Sequence, residues 1–208
     1  QNFFERDRIR VMLMEWVDGY DLRQLTSPRC LQLLHGRVSN RRWRYINEVI
    51  LTAGPKQCRF KAGIAVAIVR ECLAALAALH REGIVHGDVK PANIMLKRSG
   101  HTKLIDMGSA IDFHNPPRDR ECTPLYAAPE VLEDRTSTPR SDLASVGYVL
   151  IELLSGVNPF GHQAKLRDLL RAKRELPSRL DQILPEEILC NDLLMNFLQG
   201  LIAPDPNR

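Results

Sequence analysis

His86, Asp88, Lys90 and Asn93 lie within eight residues, in the stretch His86-Gly87-Asp88-Val89-Lys90-Pro91-Ala92-Asn93-Ile94-Met95-Leu96. Pro91 fixes φ and lacks an N–H, so the stretch is a loop and not a helix interior. The apolar run Ile94-Met95-Leu96 reads as a short buried strand. Thirteen residues after Asn93, Asp106 stands near the end of a second short strand, Thr102-Lys103-Leu104-Ile105-Asp106-Met107-Gly108. A carboxylate and an amide five residues apart on one loop, with another carboxylate on the neighbouring strand, can surround a divalent cation and a phosphate. Oxygen ligands of this kind suit Mg²⁺, which keeps several waters and completes its shell with substrate phosphate.

The elements that must position these groups are legible from periodicity. From Lys61 to Glu82, Ile64, Ile68, Cys72, Leu76 and Leu79 recur at three- and four-residue spacing, an amphipathic helix capped by Gly83 that leads into the loop through Ile84-Val85. A second helix opens at Pro139-Arg140-Ser141, runs to Leu154 and ends at Gly156; it is apolar almost all round, as expected of a helix buried in the middle of a lobe. A short helix is expected from Leu22 to Leu25, stopped near Ser27-Pro28, and two more over roughly 163–173 and 188–202. Residues Ile9 to Trp16 read as a strand running into a linker at Val17-Asp18-Gly19.

At 208 residues the chain can bury one sizeable core. With 44% apolar and 26% charged residues it has ordinary globular composition. A net charge of +4 does not by itself argue for a nucleic-acid or membrane surface. The five cysteines are scattered, with no Cys-x-x-Cys pair, which predicts reduced thiols in a cytoplasmic protein and neither a zinc site nor a disulfide framework. The longest apolar tract, Ala62 to Leu79, is interrupted by Arg70 and Glu71, so no membrane span is expected.

The pattern His-x-Asp-x-Lys-x-x-Asn, followed by Asp106-Met107-Gly108, resembles the catalytic and metal-binding loops of a eukaryotic-type Ser/Thr protein kinase. Three later pieces fit the same family in order: Ala128-Pro129-Glu130, Asp142 with Gly147, and Asp205-Pro206-Asn207-Arg208. The resemblance implies a mainly α fold: a kinase-like large lobe with short β-hairpins, and a remnant last strand of the small lobe. Residues 1–16 would be that remnant and the hinge, and 17–208 the large lobe, with an insert at about 29–59. It implies ATP and Mg²⁺ as cofactors and a protein carrying Ser or Thr as substrate. Asp88 would accept the proton of the substrate hydroxyl, Lys90 would neutralise the transferring phosphoryl group, and Thr123 would bond the catalytic Asp. Asn93 and Asp106 would be the metal ligands. Met14 would be the gatekeeper, Glu15 and Val17 would offer backbone to adenine, Asp21 would reach the ribose, and Met95 would join them in holding the cofactor. Glu130 and Arg208 would form a buried ion pair.

Departures and gaps sharpen the expectations. Gly87 stands where many kinases have Arg, so a phosphate clamp on the activation segment has no side chain there, and activity without phosphorylation of that segment follows. Order in that segment would come from Pro116-Pro117 and local pairs among Arg118, Asp119, Arg120 and Glu121. Met107 replaces a usual Phe and is expected to fill the same apolar slot; His86 would pack beneath it. Cys122 is taken as inert. Residues 1–208 contain no Gly-rich loop and no strand Lys, so this stretch alone is expected to bind MgATP weakly and to transfer no phosphate. Arg37, Arg41, Arg42 and Arg44, interleaved with Trp43 and Tyr45, suit docking of an acidic partner or phosphorylated tail; a solvated surface extension is the simpler account. Two other functions share the motifs. His86-Gly87-Asp88 with Asn93 resembles aminoglycoside and choline phosphotransferases, against which Lys90, Thr123 and Ala128-Pro129-Glu130 argue. A pseudokinase binding module would keep the loops without the reaction.

Overall fold

Helix α6, Pro139–Ser155, is buried at every residue from Ala144 to Ser155, and the rest of the chain wraps it. Pro139 pre-sets the first turn, and Gly156 ends the helix at φ 74°, the left-handed conformation that glycine adopts without strain. The computed structural model describes all residues except 1, 7, 8, 14, 55, 56, 117–120, 162, 164 and 204–208, and only the backbone of 2–6 and 9–13.

In chain order the elements are β1 (Asn2–Arg6), β2 (Ile9–Leu13), β3 (Gly19–Asp21), α1 (Leu22–Thr26), α2 (Pro28–His35), α3 (Asn40–Tyr45), a π-helical turn (Ile46–Ile50), β4 (Leu51–Thr52) and β5 (Arg59–Phe60). There follow α4 (Ala62–Arg81), β6 (Ile84–Val85), β7 (Ile94–Lys97), β8 (Thr102–Leu104), β9 (Ile111–Asp112), α5 (Pro129–Leu132), α6, α7 (Leu166–Glu175), α8 (Glu186–Leu189) and α9 (Asp192–Leu201). The fold is mainly helical with small antiparallel sheets, ordered β1-β2, β3-β7-β8, β4-β5 and β6-β9. The N-terminal end is a hairpin with Asn2 opposite Leu13, so two strands stand where one was expected, and Glu15 and Trp16 fall outside them.

α4 turns Ala65, Ile68, Val69, Cys72 and Leu76 inward and packs along α6. An 18-residue window of α4 reaches a mean hydropathy of 2.0, so by length and composition alone it is long and apolar enough for a span, Arg70 and Glu71 notwithstanding. Here its apolar stripe is spent on the core, and Glu71 accepts the Thr102 N–H at the edge of β8. α9 crosses α6 at Gly147, where a Cβ would stand 2.5 Å from Ile202 Cγ2; only a glycine admits that approach. The expected helix over 188–202 is two, because Asn191 leaves the helical conformation and caps α9 by accepting the Leu194 N–H at 3.0 Å.

Residues 28–60 are not a solvated extension. Leu31, Ile46, Ile50, Leu51 and Phe60 are all buried in the main core. Ser27 ends α1 and caps α2, with Pro28 at the first helical position; Ser39 caps α3. The expected stop at Ser27-Pro28 is real, but it is also a start.

Lys173 on α7 is fully buried. Its Nζ lies 4.0 Å from the ring centroids of both Tyr148 and Phe160 and donates to the Leu125 carbonyl at 2.8 Å. Burial pulls its ammonium down to about 6. The folded value lies below the ordinary 10.5, so the unfolded chain binds more protons between these two pH values. Stability is therefore expected to fall as pH drops from about 10.5 to about 6, by at most about 1.4 kcal/mol per unit. Denaturant unfolding of wild type and Lys173→Met at pH 6.5 and 9 checks this. The wild type should gain stability at pH 9 relative to the variant, and parallel behaviour of the two would contradict the assignment.

Candidate active site

The loop from His86 to Asn93 is held from beneath by one carboxylate. Asp142, in the first turn of α6 and only 1% exposed, accepts the His86 N–H at 2.8 Å and the Gly87 N–H at 2.9 Å. The His80 Nε2 lies 2.8 Å from the same carboxylate. His86 is itself buried, with Nε2 3.1 Å from the Ile105 carbonyl and Nδ1 accepting from the Asp88 N–H at 3.3 Å. Both bonds suit the neutral ring carrying its proton on Nε2. It holds the loop against the segment after β8 and has no free nitrogen for chemistry.

Above this base the polar groups converge on Asp88. One carboxylate oxygen takes Lys90 Nζ at 2.6 Å and Asn93 Nδ2 at 3.3 Å; the other takes the Thr123 N–H at 3.1 Å. Lys90 Nζ also donates to Thr123 Oγ1 at 2.9 Å. Residues 33 apart in the chain thus close a triangle with the carboxylate. Asn93 Nδ2 donates in addition to the Asp88 carbonyl at 2.9 Å, so its amide oxygen is the atom left for a cation.

Asp106 comes to this site through strand pairing. β7 and β8 are antiparallel with Ile94 opposite Leu104, and the Ile105 N–H continues the ladder to the Asn93 carbonyl at 2.9 Å. Asp106 follows at φ 64°, an uncommon conformation for a residue with a Cβ, its carboxylate exposed and accepting the Gly108 N–H at 3.1 Å. The Asp106 carboxylate and the Asn93 amide oxygen are hard donors that fit Mg²⁺ better than a soft metal. No group of three or more His, Cys, Asp or Glu suited to a metal occurs among the described residues.

Of the residues expected on the cofactor side, two meet on the β3-β7 pair. Asp21 and Met95 are register partners, and Asp21 also caps α1, accepting the Gln24 N–H at 2.7 Å. Burial holds its carboxyl above the usual range. Glu15 bonds Lys103 at 2.6 Å, which lowers its pKa, and Val17 is half-buried in the irregular segment before β3. Met14 lies outside the described residues, as do Arg208, its expected pair with Glu130, and residues 117–120. Glu130 is buried and accepts the Ser141 hydroxyl at 2.8 Å. Met107 is 38% exposed and so does not fill an apolar slot, since nothing in the described chain covers the side it faces.

The segment after residue 121 is bolted to the helices below it. Ser145 Oγ donates to the Tyr126 carbonyl at 2.8 Å, and Tyr126 Oη donates to Glu152 at 2.7 Å. Burial raises the Glu152 carboxyl, and Asn158 Nδ2 donates to it at 2.8 Å. Burial and the nearby Asp88 charge push the Cys122 thiol up, which fits an inert cysteine. Sequence reasoning missed the placing roles of Asp142, Lys173 and Glu152; a polar residue inside an otherwise apolar helix was the available signal for the first and last.

Gly87 has a further constraint. Its φ is +78°, and a Cβ there would lie 2.6 Å from the Ser109 carbonyl oxygen. The left-handed backbone alone costs a side-chain-bearing residue about 1–2 kcal/mol. Gly87→Ala and Gly87→Arg should each lower unfolding free energy by about 2 kcal/mol or more. Denaturant midpoints equal to wild type would refute the clash.

Comparison with known proteins shows the family. The family model described as a protein kinase domain matches residues 1–208. The chain is 32% identical over 167 residues to the serine/threonine-protein kinase STE20 of Candida glabrata, covering 79% of this chain and 18% of that protein. It is 33% identical over 153 residues to the serine/threonine-protein kinase AtPK1/AtPK6 of Arabidopsis thaliana, covering 72% and 31%. With the dual specificity protein kinase zak2 of Dictyostelium discoideum it shares 31% over 163 residues, covering 74% and 23%. The chain thus spans less than a third of the length of these relatives.

Proposed function

Because this chain belongs to the protein kinase domain family, we propose that the full-length protein carrying it transfers the ATP γ-phosphate to Ser or Thr hydroxyls of a protein, with Mg²⁺. The observation that carries this reading is the closed set of Asp88, Lys90 and Thr123. Asp88 has its two oxygens fixed by a cation and a backbone N–H, and so is aimed to accept a proton from an incoming hydroxyl. Lys90 lies between that carboxylate and Thr123, where it neutralises charge on the phosphoryl group in flight. Thr123 ties the acceptor-binding segment to the same cation. Asn93 and Asp106 offer the oxygens for Mg²⁺, which when bound neutralises phosphate charge. Asp21 and Met95, side by side on β3 and β7, with Met14, Glu15 and Val17, hold the nucleoside. In this reading residues 1–16 are a small-lobe remnant and hinge, 17–208 are the large lobe, and the protein is cytoplasmic.

Gly87 supplies no phosphate clamp. Of the hydroxyls in the segment, Thr123 and Tyr126 are already committed to Lys90 and Glu152. Activity is therefore independent of phosphorylation within 109–127. The test is to incubate the full-length gene product, before and after phosphatase treatment, with Mg²⁺ and γ-labelled ATP, offering in parallel a generic protein, choline and an aminoglycoside. Phosphoserine and phosphothreonine on the protein are expected in both samples. Label on the small molecules alone would give the small-molecule reading, and no label would give a binding module. Loss of rate on dephosphorylation, restored by rephosphorylation within 109–127, would sink the regulatory part. Residues 1–208 expressed alone are expected to give no turnover and only weak MgATP binding; micromolar affinity by calorimetry would overturn that.

A further inference from the structure

A groove of about 400 Å³ opens behind the β3-β7 pair, between α3 and the first half of α4. Strand alternation separates it from the cofactor side: Tyr20 and Leu96 line the groove, while their neighbours Asp21 and Met95 point to the opposite face. Its floor is aliphatic, made by Ile46, Ile50, Ile64, Ile68 and Leu96. Its walls carry Arg41, Arg42 and Arg98, and no carboxylate is among the described lining residues. Arg41 is exposed with no acidic partner among the described residues. Arg42 lies over the Tyr20 ring at 5.1 Å from its centroid. Arg98 reaches Asp18 at 3.4 Å, in an exposed pair of the kind that contributes little and exchanges readily, while Lys97 alternates to the Met95 face and reaches Glu15.

We propose that this groove docks an acidic peptide segment of a partner protein, with leucine-like side chains on the floor and Glu or Asp side chains on the cationic walls. Three cations around an apolar trough, with no acid among its described lining residues, are complementary to that chemistry and to few others. A nucleic acid would match the charge and find the exposed Tyr45 ring, but the Tyr20 ring is already covered by Arg42 and the aliphatic floor would stay unfilled. The site deepens the arginine-rich stretch 37–45, of which Arg41, Arg42 and Tyr45 reach the groove. Its consequence rests on the kinase reading: a substrate held here has a raised effective concentration at Asp88. The binding itself does not depend on phosphate transfer, so the two fail separately.

The experiment uses the 208-residue chain, at 0.15 M salt and without ATP. The probe is a fluorescein-labelled dodecapeptide of glutamates carrying two leucines, followed by anisotropy. Saturable binding is expected, weakened at least tenfold when both leucines become serine and at least tenfold by Arg41→Glu, Arg42→Glu. Arg98→Glu is the second variant, outside α3, and thermal melts establish that each variant is folded. A labelled oligothymidylate of the same length should bind at least tenfold more weakly. Four results would overturn the proposal: no saturable binding, equal affinity without the leucines, indifference to charge reversal at both 41 and 98, or tighter binding of the oligonucleotide. A dimer in sedimentation that dissociates on Arg41→Glu would assign the groove to a second copy and overturn it too.

Discussion

Asp142→Ala is expected to cost about 3–5 kcal/mol of unfolding free energy. The carboxylate is 1% exposed and is the shared acceptor of the His86 and Gly87 amides and the partner of the His80 ring. Alanine leaves buried donors with no replacement, and each such orphan costs about 1–3 kcal/mol. Total stabilities of domains run only about 5–15 kcal/mol, so much of the margin would go. The same change frees the loop that carries Asp88, so phosphate transfer should fall as well. Asp142→Asn should be intermediate, since it retains one acceptor oxygen and turns an N–H toward existing donors. Urea denaturation of the three proteins checks the order. A loss below 1 kcal/mol for the alanine variant would show that the loop is anchored elsewhere.

Asp88→Asn should behave in the opposite way, with a large kinetic effect and a small structural one. The amide has the shape of the carboxylate and can still accept the Thr123 N–H, but it cannot take a proton from a hydroxyl. In any preparation of the protein that transfers phosphate, kcat is expected to fall by about 10²–10⁴, with KM for ATP little changed. Lys90 loses its charge partner but keeps Thr123 Oγ1, and its side chain is 25% exposed to water, so the melting point should move by only a few degrees. Retention of more than a tenth of the rate would remove Asp88 from the proton-accepting role. Paired with the Asp142 variants, the measurement separates a group that meets substrate from one that places it.

The elements the sequence announces are those whose evidence is local. α4 shows itself by apolar residues at helical spacing with Gly83 at its end, α6 by a continuous apolar run bounded by Pro139 and Gly156, and β7 by three apolar residues after Asn93. The roster of chemical groups is equally local, since Asp88, Lys90 and Asn93 are neighbours in the chain. Signals weaken where the local pattern is split. The helix expected over 188–202 breaks because a single cap at Asn191 outweighs the periodicity, and α2 and α3 escape notice because each is too short to show a period.

By itself, then, the sequence determined a mainly helical chain, the position of its buried central helix, and the order of the polar groups His86, Asp88, Lys90 and Asn93 along one loop. These follow from residue types and spacings within a few turns of one another. Only the tertiary structure decided that Thr123 closes on Lys90, that Asp142 holds the loop from 55 residues away, that Lys173 lies between two rings, and that residues 28–60 bury part of themselves beside a cationic groove. The reason is physical: a buried polar group takes whatever partner the packing of distant elements brings within 3 Å. No periodicity in the chain encodes which partner that is.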